Sequence, residues 1–308
     1  MAKVPNTYHH IVPQCYLKNF AVIGKSDFVY VYDKVQNKSY TKAIKDIAGI
    51  DDFYTISPEF NDGTYDSKVI ETNYLAGDVE RKYSKVLTDT IECIEKDEYI
   101  SNNLKMGLAI HLAIQFLRTK EVREKDEQTL NDFLPDFIEL FKEGLSLEKK
   151  DPKIAELNIS YKYDSAMYHF RSSFGNEDII NTFAGQLASN YWNFYYSQSP
   201  VFYTSHFPIV VSPHVPNARP LCLGLTQYGA EFSFPISPNI MLVIWDKEYF
   251  KEKASIDGNI IVATDKNIRK YNWLRYLYAE QVYSHTNDFS SLDFIYKLKG
   301  KHEFFKYQ

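Results

Sequence analysis

The chain has little of what builds tight phosphate-cradling loops: 12 glycines in 308 residues. No GxGxxG and no GxxxxGK[ST] run occurs, which excludes ATP or dinucleotide binding by those routes. Cysteine is scarcer. The three, Cys15, Cys93 and Cys222, lie far apart and form no CxxC or Cys/His zinc spacing. They fit reduced thiols in a reducing cytoplasm. No apolar stretch reaches about 18 residues, so no membrane-spanning helix and no membrane partner is expected. The opening "MAKVPNTYHH" lacks an apolar run before a small-residue cleavage site, so no secretory signal is expected. Positive charge is not in excess either. A net charge of −5 argues against a protein that coats nucleic acid broadly, while leaving room for a local basic patch.

What is abundant is aromatic. Tyr (25) and Phe (21) dominate a composition that is 44% hydrophobic, enough to bury a sizeable core. Buried tyrosine hydroxyls then require hydrogen-bond partners. Charge is also unevenly spread. From Ile179 to Ala218 there is no Asp, Glu, Lys or Arg, in a chain that is 24% charged. Such a segment is expected to be largely buried or to face a protected cavity.

The pattern along the chain is α+β: a central helical bundle, with antiparallel β segments from the N-terminal and C-terminal regions packed together. One domain is expected over 1–308, with a β-rich part at 1–60, a helical part at 66–145 and a helix-plus-β part at 176–290. "FVYVYDK" (28–34) alternates and is β-branched and aromatic, the start of a hairpin to "SYTKAI". "DDFYTI" (51–56) is a further short strand. Leu75, Val79, Tyr83, Leu87 and Ile94 share one face of a helix within 66–98. Ser101 is the expected N-cap of a second helix running to about Glu127, and 130–144 is a third, bent or interrupted by Pro135. "IINTFAGQLASNYWNFYYS" reads as a helix. "PVFYTS", "PIVVSP" and two segments of "AEFSFPISPNIMLVIWD" read as strands. Residues 265–284 give a helix and a last short strand.

Polar residues stand where apolar ones are expected. The second helix is apolar almost all round, hence buried, yet His111, Gln115 and Arg118 form one polar stripe on it. An unpaired buried Arg or amide costs several kcal/mol, so the stripe must meet side chains or a ligand. Gln186, Ser189, Asn190 and Asn193 form a second stripe on the helix after Ile179. Thr204, Ser205 and His206 come at a strand end, where side chains and backbone N–H groups reach the mouth of a site. Of the paired histidines, His9 reads as surface or packing. His10, with a side chain that titrates near neutrality, is either a proton-transfer group or the cap of a buried turn.

The ordered set "HHIVPQCYLKNF", "VYVYDK", "IDDFYTI", "AIQFLRT", "FYTSHFPIVVS" and "FSFPISPNIML" resembles the mainly bacterial family catalogued as domain of unknown function 4238. The resemblance runs from His9 to about His285. The family's His–x–x–Pro–Gln opening is matched by His10, Pro13 and Gln14, and its Gln–x–x–Arg–Thr helix by Gln115, Arg118 and Thr119. Its Thr–Ser–Asp–x–Pro segment is matched by Thr204, Ser205 and Pro208, with His206 where the acid is usual. Its Pro–Leu–Ser–Pro is matched by Pro235, Ser237 and Pro238. The resemblance implies one recurrent polar constellation and no particular reaction.

Two functions are consistent with this. In the first, the protein is a metal-independent enzyme acting on a phosphodiester or nucleotide, such as a nuclease or nucleotide-processing effector of the phage-defence kind. His10, Arg118 and Ser205 form its catalytic set, and Gln14, Gln115, Thr204, His206 and Asn190 its substrate contacts. Ser205 has no Gly–x–Ser–x–Gly elbow, so it orients the substrate rather than attacking it. In the second, the same residues are a structural network in a protein-binding or ligand-sensing module, whose partner meets an exposed aromatic surface such as the "HEFFKYQ" end. No cofactor is assigned, and no metal: His9, His10, His111 and His206 with Glu71 or Glu80 have no diagnostic spacing.

Overall fold

The computed structural model describes residues 7–61, 63, 66–215 and 227–292, so the "HEFFKYQ" end and Cys222 lie outside the described residues. The architecture is α+β. Strand β1 (Tyr8–His10) leads through Pro13 into a single helical turn, α1 (Gln14–Leu17). The hairpin of β2 (Phe28–Asp33) and β3 (Lys38–Ala43) is the one its alternation predicts. The strand expected over 51–56 is instead β4 (Gly49–Asp51), antiparallel to β1, and the chain turns at Asp52 with φ 53°.

The helical part opens on a π-helix, Ile70–Val79, that continues into α2 (Glu80–Glu95). Next comes α3 (Asn102–Leu117), N-capped by Ser101 as its sequence predicts. It does not run on to Glu127. Arg118 leaves helical geometry, Thr119 is extended, and α4 (Lys120–Lys149) starts afresh. Pro135 does not interrupt α4. It removes one backbone bond, a cost the thirty-residue helix absorbs. After α5 (Ser165–Ser172) comes α6 (Glu177–Ser189). The helix expected to run past Asn190 ends there. The next residues, Tyr191–Tyr196, are strand β5, a run of aromatics that suits a pleated, half-buried surface.

Strands β6 (Thr204–Ser205), β7 (Val210–Pro213), β8 (Ala230–Ser237), β9 (Ile240–Trp245) and β10 (Ile260–Val262) follow, then α7 (Asp265–Tyr278) and β11 (Gln281–Ser284). A five-stranded sheet has the order β10-β5-β9-β8-β7, and a four-stranded sheet the order β3-β2-β11-β6. The second joins segments from both ends of the chain. The β contribution is not wholly antiparallel, since β10 runs parallel to β5.

Every residue of β8 and β9 is buried, so both faces of the larger sheet are covered. Phe232, Phe234, Leu242 and Ile244 pack with α3 and α6, among them Leu112, Ala113 and Leu187. Met241, Val243 and Trp245 point the other way, onto Tyr271 and Leu274 of α7. The charge-free segment is only partly interior. Trp192–Phe194, Phe202–Ser205 and Pro208–Val211 are buried, while Asn181, Thr182, Gln186 and Gln198–Pro200 are exposed.

Candidate functional site

The first polar group assembles where α3 ends. Arg118 is wholly buried. Its Nη2 donates to the His10 carbonyl, its Nε to the Tyr54 hydroxyl at 3.3 Å and its Nη1 to Glu80 Oε1 at 3.4 Å. The Tyr54 hydroxyl in turn donates to the Arg118 carbonyl at 3.1 Å, closing a ring. Burial opposes the guanidinium charge, but Tyr54 and Glu80 outweigh it and raise the Arg118 pKa. Gln115 Nε2 donates to the Ile11 carbonyl at 3.2 Å, and Gln14 Nε2 lies 3.4 Å from His10 Nδ1. His111, further back on the stripe, stacks on Tyr83 of α2, centroids 4.7 Å apart. Burial lowers its pKa to about 4. His10 is 4% exposed, and burial likewise holds its pKa below the usual histidine value, with Arg118 adding to the effect. His9 is a packing residue: its Nδ1 accepts from Tyr54 N at 2.9 Å and its ring stacks on Tyr54.

Glu71 completes this group, and sequence reasoning gave it only a place in a possible metal set. It stands at the start of the π-helix, a rare geometry found disproportionately at functional positions. Among the described residues its Oε2 is buried with no hydrogen-bond partner. Burial pushes its pKa up to about 7, Arg118 opposes this, and Glu80 reinforces it. The folded protein therefore holds a proton that the unfolded chain, with an ordinary glutamate, has already released. Glu71 therefore contributes a stability that falls as pH rises from about 4.5 to about 7, against the rising contribution of the buried histidines, whose pKa values are lowered. Glu71→Gln is expected to flatten that slope and to stabilise the fold near pH 8 by on the order of 2 kcal/mol. Urea denaturation across this pH range checks it. A variant that keeps the wild-type slope would rule out Glu71 as its source.

The remaining sequence candidates do not join this group. Thr204 and Ser205 are wholly buried in β6. Thr204 Oγ1 shares a 2.7 Å hydrogen bond with the Tyr16 hydroxyl, which also donates to the Pro235 carbonyl. Ser205 Oγ donates to the Phe207 carbonyl at 2.8 Å and accepts from the Phe207 amide. Asn190 caps the end of α6, and its Oδ1 accepts from the Lys247 amide. Asn193, assigned to the same helical stripe, is instead buried in β5 and donates to the Ile256 carbonyl. His206 is half-buried in the loop after β6. Burial lowers its pKa, against the opposing carboxylates of Glu121 and Glu280.

A cavity of about 310 Å³ lies next to this loop. Phe116 and Leu117 of α3, Phe183 of α6, and Phe207, Ile209 and Val210 form its apolar wall. One corner is polar: Thr119, Glu121, Lys125, Asp126, Ser172 and Ser173. Ser173 Oγ donates to Asp126 Oδ2, and His169 Nδ1 lies 3.6 Å from the same oxygen. Ser172 Oγ is buried and, among the described residues, has no partner. A second cavity, of about 690 Å³, also reaches Ser172 and is lined by Ile56, Phe60, Tyr163, Met167 and Arg171. None of His10, Gln14, Gln115, Arg118, Thr204, Ser205, His206 or Asn190 lines either cavity. Sequence reasoning missed the Asp126–His169–Ser173 corner because Asp126 and His169 read as ordinary positions of α4 and α5, and Ser173 as the residue that ends α5. The signal that was legible is the charge-free segment, which supplies Ile179, Phe183, Phe207, Ile209, Val210 and Val211 to the wall.

Of the residues that carry the resemblance, His10, Pro13, Gln14, Gln115, Arg118 and Thr119 lie around the end of α3, and Thr204, Ser205 and Pro235 around Tyr16. A family model described as protein of unknown function (DUF4238) matches residues 8–288. The chain belongs to this family. The match takes in β1 through the end of β11, and so every residue of both polar groups and both cavities. Searches of curated proteins and of solved structures find no significant match. Glu121 and Glu280 place negative charge around His206. Among the described residues no group of three or more His, Cys, Asp or Glu could hold a metal ion, and no helix is long and apolar enough to cross a membrane.

Proposed function

We propose that the protein is a ligand-sensing module, in which the buried polar groups hold the frame and the 310 Å³ cavity receives the ligand. One observation carries this reading: the charge-free segment and the end of α3 converge on that cavity, whereas the Arg118 fork is occupied by protein groups. Largely apolar walls with a few convergent polar groups are the usual make-up of a small-molecule site. At the polar corner the carboxylates of Glu121 and Asp126 outnumber the single cation, Lys125. The ligand class that fits is a small apolar molecule bearing one cationic or hydrogen-bond-donating group, such as an aromatic amine.

The experiment is titration of the full chain with a phenylnaphthylamine dye, followed by fluorescence. Val122 lines the cavity and is half-buried, so Val122→Phe should fill the space without emptying the core. The expected result is saturable binding by the wild type, weakened about tenfold or more in Val122→Phe, a difference of about 1.4 kcal/mol. Absence of binding, or equal binding by the variant, would overturn this use of the cavity.

A second reading keeps the enzyme class. Glu71, with one buried oxygen lacking a partner beside His10 and Arg118, has the perturbed acidity of a general acid or base. On that reading the substrate is a nucleotide or phosphodiester that displaces Glu80 from Arg118. Turnover of such substrates, abolished in both Glu71→Gln and His10→Ala, would favour it over the sensing module.

A further inference from the structure

The wall of the 310 Å³ cavity is more aromatic than an apolar ligand requires. Four rings line it, each from a different part of the fold. Phe116 stands near the end of α3, Phe183 in α6, Phe207 in the loop after β6, and Tyr278 at the last position of α7. All four are half-buried, whereas Leu117, Ile209 and Val210 of the same lining are buried. The aliphatic side chains are closed into the core, and the rings keep part of their surface open.

Two carboxylates stand with these rings. Glu121 lies in the first turn of α4, where the helix dipole favours an acid in any case. Asp126 lies further along the same helix and has no such reason to be acidic. It is half-buried, and its Oδ2 accepts from Ser173 Oγ with His169 Nδ1 3.6 Å away. Among the described residues nothing bonds to its Oδ1. The ion pairs of this stretch of α4 join Lys120 to Glu124 and Arg123 to Glu127, and pass over Glu121 and Asp126. Lys125, the cation of the lining, is exposed and pairs with neither.

Rings and unpaired carboxylates together suit a cation, and the apolar walls limit which kind. An ammonium with N–H donors needs an acceptor for each once it leaves water, or its burial costs free energy. Methyl groups remove those donors and clothe the charge in carbon, which ring faces attract through their quadrupole. We infer that the cavity takes a methylated ammonium group carried on an apolar body, with its charge set among Phe116, Phe183, Phe207 and Tyr278 and balanced by Asp126. This rests on the ligand-sensing reading and narrows its ligand class.

The test is calorimetric titration of the full chain with three probes. Benzyltrimethylammonium is the methylated cation. Benzylamine carries its charge on N–H groups, and neopentylbenzene has the methylated probe's shape without the charge. The expected result is that benzyltrimethylammonium binds at least about tenfold tighter than either of the others. Phe207→Leu keeps an apolar wall without the ring, and Asp126→Asn keeps an acceptor for Ser173 without the charge. Each should lower the preference for benzyltrimethylammonium over neopentylbenzene by about threefold or more. That preference is a ratio taken within each variant, so a general loss of affinity does not enter it. The order of the three probes on the wild type needs no variant to fold. Equal or tighter binding of benzylamine or neopentylbenzene overturns the methylated-ammonium assignment and leaves the ligand-sensing reading standing. A preference that neither variant lowers does the same. Binding of none of the three also overturns it, and the phenylnaphthylamine titration then decides separately whether the cavity binds an apolar molecule at all.

Discussion

Arg118→Met is expected to remove about 3–5 kcal/mol of unfolding free energy, the usual cost of breaking a buried pair from one side. Methionine preserves much of the volume, so the loss isolates the guanidinium. Without it Glu80 and Glu71 keep their partly buried carboxylates with no cation beside them, and the His10 carbonyl and Tyr54 hydroxyl lose a donor. Arg118→Lys keeps the charge but cannot span three partners, so it should fall between the two. Urea denaturation at neutral pH measures both. A loss under about 0.5 kcal/mol in Arg118→Met, the range of ordinary surface changes, would show that the network contributes little.

Lys270→Met is the second large effect, through a carboxylate no signature marked. Glu231 lies in β8 with no exposure, held by Lys270 Nζ at 2.6 and 2.7 Å and by His214 Nε2 at 2.7 Å. Burial opposes its ionisation, but the His214 hydrogen bond and the Lys270 charge outweigh it and lower its pKa. The stability this pairing contributes is therefore complete above the ordinary glutamate range and is lost as pH falls through the lowered folded value. Lys270 is 38% exposed, so water screens part of the interaction, and a loss of about 2–3 kcal/mol is expected rather than the full buried-pair figure. The gap between wild type and variant should close in acid. A gap that persists well below the glutamate range would mean that Lys270 acts through its packing over Trp245 and Tyr271 instead.

The elements that sequence made legible are those whose signals are local. The β2–β3 hairpin, the Ser101 cap, the β8–β9 pair and the α7–β11 end each follow from alternation, capping or a proline corner. The errors share a cause. α3 stops at Leu117 because Arg118 is drawn into contacts with His10, Tyr54 and Glu80, which stand far away in sequence. β5 begins at Tyr191 because β9 and β10 offer it a place between them, and nothing within the segment announces that. The π-helix at Ile70–Val79 leaves no mark in a pattern of apolar spacing. Of the companions expected for His10, Gln14 and Arg118 reach it and Gln115 reaches the carbonyl of the next residue, Ile11. Thr204 and Ser205 are expected with them because a strand end can present hydroxyls and backbone donors at the mouth of a site, but Tyr16 takes up Thr204.

The position of β11 has a kinetic meaning. This strand sits between β2 and β6 and pairs Val31 with Tyr283, residues separated by most of the chain. During synthesis the early hairpin must wait, with one edge bare, until residue 284 has left the ribosome. Sheets closed by such distant segments form slowly, because the loop entropy is lost before the contacts are gained. The waiting edge is a place where nascent chains can adhere to one another. Yield on expression should therefore respond more to temperature and to chaperone supply than the finished fold's stability would suggest.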